Sequence, residues 1–252
     1  MLIYGNKLGG LTMTKDNESS HSTQNQKVNL GLSIIKFQLL WYLFNFLILF
    51  LERSLAFELT LLDNLYLISF KIIGRSLFIS FFLYWVTMTY QLDFKELGIT
   101  NKDFFANLKL GFVISWPFVL GIIISHFHLN NLNKLIAIHN FTQLLTSLIY
   151  FTIIFITCLI PAFSIELFFR GFIFSQLKNK YNSFIAFILG SVYYMIVHFN
   201  FSPHVLILYF IISFITNYLY HKTDSLLAPT IFQATYQASL TNFLFTFTGW
   251  PF

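Results

Sequence analysis

An all-α fold is predicted for this chain: a polytopic helical membrane bundle of about seven transmembrane helices, N-terminus inside. Three observations predict it. Hydrophobic residues fill 56% of the 252 positions and charged residues only 10%, against about 25% charged in a soluble domain. The mean hydropathy is +0.69. The apolar residues fall in long runs separated by short polar connections, and the cations concentrate in alternate connections.

Residues 1–32 are rich in Ser, Asn, Gln, Thr and Lys, and read as a disordered cytoplasmic tail without the early apolar core of a signal peptide. Residues 33–252 read as a single membrane domain. The first span covers 33–51, with Lys36 able to snorkel at its start. Glu52, Arg53, Glu58 and Asp63 make an acidic connection. The second apolar region is 65–90. Lys71 and Arg75 interrupt its first half, so they either line a polar interior or the span begins only near Ser76. A loop at 91–105 carries Asp93, Lys95, Glu96, Lys102 and Asp103. The third span, 108–125, contains Trp116-Pro117, where the missing backbone donor favours a kink. The connection 126–140 holds His126-Phe127-His128, Lys134 and His139; with no cysteine or carboxylate nearby, these histidines read as incidental. The fourth span, 141–162, leads into a helix bearing Glu166 and Arg170. The fifth is 184–198, the sixth 204–220 and the seventh 226–247, with Pro229 in its first turn.

The positive-inside rule orients this arrangement. With the N-terminus in the cytoplasm, Lys7, Lys15, Lys27, Lys36, Lys95, Lys102, Lys109, Lys178, Lys180 and Lys222 are all cytoplasmic, and only Arg53 and Lys134 face outside. The net charge of +5 is therefore topological. No basic stripe interleaves with aromatics, so nucleic acid is not an expected partner; the lipid bilayer is. The single cysteine, Cys158, excludes an internal disulfide and reads as a small buried hydrophobe.

The stretch Ser164-Ile165-Glu166-Leu167-Phe168-Phe169-Arg170-Gly171-Phe172 places a carboxylate and a guanidinium four residues apart in apolar surroundings. On a helix they share a face. An ionised side chain at mid-bilayer costs roughly 2.5 to 3.5 kcal/mol, so such residues mark either a helix-joining ion pair or a site. Tyr194 and His198 repeat the spacing on the next helix, and Gln233 and Gln237 on the last. Unpaired polar groups are costly in hydrocarbon, so the three faces are expected to converge on one polar pocket.

These segments resemble the CPBP family, which holds the CAAX prenyl proteases and the bacteriocin-processing or self-immunity (Abi) membrane proteins. Ile165-Glu166-Leu167-Phe168-Phe169-Arg170-Gly171-Phe172 is similar to its Glu-Glu-x-x-x-Arg motif. Tyr194-Met195-Ile196-Val197-His198 is similar to its Phe-x-x-x-His motif. The run from Leu219 through Pro229 to Gln233 and Gln237 is similar to its His-x-x-x-Asn motif and lead-in. Asp93-Phe94-Lys95-Glu96-Leu97-Gly98-Ile99 is similar to the family's short Leu-Gly segment. The likeness covers roughly 90–240 and implies a membrane-embedded peptidase. In active members the first Glu is the general base that activates water, and the later His and Asn residues complete the site.

Several positions depart from that pattern. Ile165 stands at the first Glu and cannot take a proton. Gln233 stands at the motif-three His and cannot act as a base, and Gln237 stands at the Asn. Glu166, Arg170 and His198 remain. A Zn²⁺ site needs about three protein ligands, and Glu166 and His198 supply two at most, so no cofactor is expected and zinc is disfavoured. Two functions follow. One is a catalytically impaired relative that binds a peptide or membrane partner, as in bacteriocin immunity or control of a cell-wall enzyme. The other is an active intramembrane endopeptidase using Glu166, Arg170 and His198, with Ile165, Tyr194, Gln233 and Gln237 lining the pocket. A multi-pass protein of a bacterial plasma membrane is the expected setting.

Overall fold

The computed structural model describes residues 31–32, 34–47, 50, 61–129 and 141–248, and the side-chain surroundings of most of them. The polar tail and the acidic connection at 51–60 lie outside these residues, and so do the side chains of Lys71, His126 and His128 and the whole of Lys134 and His139. The described residues form helices and turns, with no strand. The chain divides into two compact units, 1–47 and 48–252. The first holds α1, Ile34–Leu47.

The second unit contains α2 (Leu61–Tyr90), α3 (Phe104–Leu129) and α4 (Phe141–Glu166). A π-helical segment (Leu167–Phe174) and α5 (Ser175–Lys180) continue α4 without a break. After them come α6 (Ser183–Ile196), α7 (Pro203–Thr223) and α8 (Leu227–Thr248).

The helix ends follow local chemistry. Asn182 caps α6 by accepting from the Ile185 N–H, one of the donors a helix start leaves free. Pro203 opens α7, where its missing N–H is no loss. Asp224 closes α7 in the left-handed region at φ 44°, a conformation Asp tolerates better than most residues. Pro117 lies inside α3, as read from sequence, and Pro161 inside α4.

Four stretches among the described residues are long and apolar enough to cross a membrane: Ile72–Tyr90, Phe104–Ile122, Phe151–Lys180 and Pro203–Thr223. They correspond to expected spans two, three, four and six. The second includes no break at Arg75, since α2 is continuous there. The third expected span runs further than 125: α3 reaches Leu129, so His126 and His128 belong to a helix. The fifth expected span shortens. With 14 residues, α6 is about 21 Å long, against a hydrocarbon core of about 30 Å. It stops at Ile196, and His198 lies in the turn beyond it.

The last helix is central. α8 packs along α3 and α4 and touches α7. Its backbone approaches α3 closely: a Cβ on Gly111 would lie 2.6 Å from the Ala228 carbonyl oxygen. Small residues at such crossings are how membrane helices gain van der Waals contact. Phe118 meets Phe232 edge-on, ring centres 5.2 Å apart.

The Leu97-Gly98 segment is wedged into this bundle. Leu97 is fully buried. The Gly98 carbonyl accepts from the Leu226 N–H at 2.8 Å, and the Tyr220 hydroxyl donates to the Glu96 carbonyl at 3.3 Å. Gly98 adopts φ +79°, and a Cβ there would sit 2.5 Å from the Tyr220 ring. A Cβ on Gly171, in the π-helical segment, would sit 2.7 Å from the Leu97 carbonyl oxygen. Gly98→Ala should therefore destabilise the protein by more than the roughly 1–2 kcal/mol of left-handed backbone alone, and Gly171→Ala should also lower the unfolding midpoint. Gly121→Ala, in open space on α3, should stabilise by about 0.5–1 kcal/mol. Thermal unfolding of the three variants in detergent checks the order.

Candidate functional site

Arg170 is the organising side chain. All eight residues of the π-helical segment are buried. Its register shows in the Ser175 N–H, which donates to the Arg170 carbonyl five residues back. Such wider turns inside α-helices occur frequently at functional positions. Glu166 ends α4 immediately before it. Both Glu166 and Arg170 have no exposed surface, and Arg170 Nε lies 3.2 Å from Glu166 Oε2. The expected ion pair is present. Its N–H is not aligned for a hydrogen bond, since Arg170 Nε and both Glu166 oxygens lack one among the described residues. The attraction is therefore mainly that of two close charges in a poor dielectric.

The guanidinium is fixed from two other helices. From α7, the Thr216 hydroxyl and the Ser213 carbonyl accept from Arg170 Nη2. From α6, the Tyr194 ring lies under the guanidinium, 4.6 Å from Cζ to the ring centre. A desolvated cation over an aromatic face is worth about 2 kcal/mol.

Tyr194 links this pair to His198. The two rings are 4.4 Å apart, and the Tyr209 ring of α7 lies 4.4 Å from His198 on its other contact. His198 Nδ1 lies 2.7 Å from the Tyr194 carbonyl. A carbonyl only accepts, so Nδ1 carries the proton and donates, leaving Nε2 with a lone pair in the neutral ring. His198 thus caps the end of α6 and is half-buried. The order in space is Glu166, Arg170, Tyr194, His198, Tyr209.

The two glutamines of α8 take no part in these contacts. Gln233 is 4% exposed, and its Oε1 accepts no hydrogen bond among the described residues. Gln237 and Ile165 are half-buried. The α8 residue in electrostatic range of Tyr194 and Tyr209 is Tyr236. The convergence expected of three polar faces is therefore made directly by the π-helical segment, α6 and α7, and the α7 residues were not anticipated. Their signal was in the sequence: Ser213, Thr216, Asn217 and Tyr220 fall at i, i+3, i+4 and i+7 of an apolar helix, one continuous face. Asn217 Nδ2 donates to Ser191 Oγ of α6 at 3.2 Å, so this face also joins α7 to α6. Among the described residues, no three His, Cys, Asp or Glu side chains stand together as a metal ion would require.

Fold and site together define a helical membrane protein with a buried acid–base pair between its later helices. Residues 147–239 match the model of a family described as type II CAAX prenyl endopeptidase Rce1-like. This segment, which contains every candidate residue above, is what the chain has in common with that CAAX-protease-like family. No curated protein and no solved structure matches it.

The pair's coupling is measurable. Arg170→Met leaves a buried carboxylate alone and should destabilise by about 3–5 kcal/mol, whereas Glu166→Gln with Arg170→Met should lose much less than the sum of those two single changes. Unfolding of the four forms in detergent gives the cycle.

Proposed function

We propose that the protein is a catalytically impaired CAAX-protease-like membrane protein that binds a peptide or membrane partner. Immunity to a bacteriocin, or restraint of a cell-wall enzyme in a bacterial plasma membrane, suits such a role. One observation carries this reading. The carboxylate left from the family's acidic pair, Glu166, is fully buried and engaged by Arg170, itself held by Thr216 and Tyr194. A general base must come within hydrogen-bond reach of the water it activates. Here the nearest charged partner is a guanidinium fixed on three elements. Ile165 at the neighbouring position offers no proton acceptor, and Gln233 is an amide.

The second reading is an active intramembrane endopeptidase, favoured by two details. Among the described residues the Glu166 oxygens accept no aligned hydrogen bond, and His198, with the Nε2 lone pair as an acceptor, reaches the same cluster through Tyr194. In that reading Glu166 and His198 share the activation of water, and Arg170 orients Glu166.

Purified protein in lipid nanodiscs, offered prenylated CAAX peptides and leader peptides, separates the two. The expected result is no cleavage above the level of Glu166→Ala and His198→Ala variants. Cleavage lost by at least about a hundredfold in both variants, the usual scale of general acid–base contributions, would establish the endopeptidase instead.

A further inference from the structure

The candidate site leaves unused a corner of the molecule where α5, α6 and α7 end or begin. Lys178 of α5 reaches Asp224 beyond α7, Nζ to Oδ1 3.4 Å, so the two helix ends adjoin. Beside this pair stand the exposed Lys180 and Lys222, with the half-buried His221 packed on Phe187 of α6, ring centres 5.5 Å apart. Among the described residues Asp224 is the acidic one here, and it is already shared with Lys178. Two of the other lysines at this end, Lys95 and Lys102, sit in a loop with Asp93, Glu96 and Asp103, which offset them.

What lies along the helices from these cations decides the ligand. Lys180 Nζ is 5.3 Å from the Tyr181 ring centre and Lys222 Nζ 5.8 Å from that of Tyr218. Tyrosine favours the polar–apolar boundary of a bilayer. Further from the end, α6 presents Phe184 and α7 presents Ile211 and Phe214, all exposed. Phe187 and Phe214 join the two helices, ring centres 5.4 Å apart. Cations, then an aromatic level, then a continuous apolar strip match a phosphate headgroup with acyl chains below it. A free phosphate would leave the strip unused.

We infer that the corner formed by Lys180, Lys222, Tyr181 and Tyr218 is a binding site for an anionic phospholipid, its phosphate against the two lysines and its chains along α6 and α7. The site stands apart from Glu166 and does not depend on whether peptides are cleaved.

Native mass spectrometry of the full chain released from detergent, titrated with phosphatidylglycerol or phosphatidylcholine, tests this. Phosphatidylglycerol should bind more tightly, and Lys180→Ala with Lys222→Ala should weaken it about tenfold while leaving phosphatidylcholine unchanged. The matched control, Lys95→Ala with Lys102→Ala, should change it by less than about twofold. Asp224→Asn should strengthen it. Excess inorganic phosphate should not displace the lipid. Equal affinity for the two lipids, an equal loss in the control pair, or displacement by phosphate would each overturn the inference. Unfolding midpoints of both double variants, unchanged from the parent, show that a loss is local.

Discussion

A guanidinium and a carboxylate with no exposed surface, in a protein that is mostly apolar, set the terms for the second half of the chain. Each charge alone is unfavourable at membrane depth by roughly 2.5–3.5 kcal/mol on insertion scales. Together they attract strongly, because little intervenes to screen them. The remaining donors of Arg170 must still be met, and the helices that meet them are held in consequence. Thr216 and the Ser213 carbonyl bring in α7, and Tyr194 brings in α6. One arginine thereby fixes three elements about a point.

The same arrangement separates this chain's chemistry from that implied by its family resemblance. A hydrolase of that kind needs a carboxylate that faces water and a second group that shares the proton. Here Ile165 occupies the neighbouring position and is half-buried, whereas Glu166 turns wholly inward. Gln233 and Gln237 can make hydrogen bonds but cannot change charge. Of the residues that persist, Glu166 and Arg170 hold helices together, and His198 persists beside them at the end of α6.

The helical class, the later helix boundaries and the Glu166–Arg170 contact were legible because they rest on local rules. Apolar run length sets the helices, and four-residue spacing sets the pair. The π-helical winding after Glu166 was not legible, since nothing in Leu167–Phe174 distinguishes it from ordinary apolar helix. His198 was read as part of α6 because its distance from Tyr194 suited a helix. It instead lies past the end, where its ring can reach a terminal carbonyl. The site's α7 contribution was overlooked because Ser213 and Thr216 are weakly polar. A hydroxyl matters only once something charged is placed beside it, and sequence gives no view of that neighbour.

The loop between α2 and α3 has a practical consequence. By its length and its charged residues it looks like an ordinary surface connection, the place where a reporter or epitope would be spliced in. Yet its backbone oxygen at Leu97 rests against Gly171, and Gly98 bonds to the start of α8. It behaves as a keystone between the front and back of the bundle, and tolerance of insertions follows the burial of the backbone rather than apparent position. An inserted tag there would pry apart the elements around Arg170.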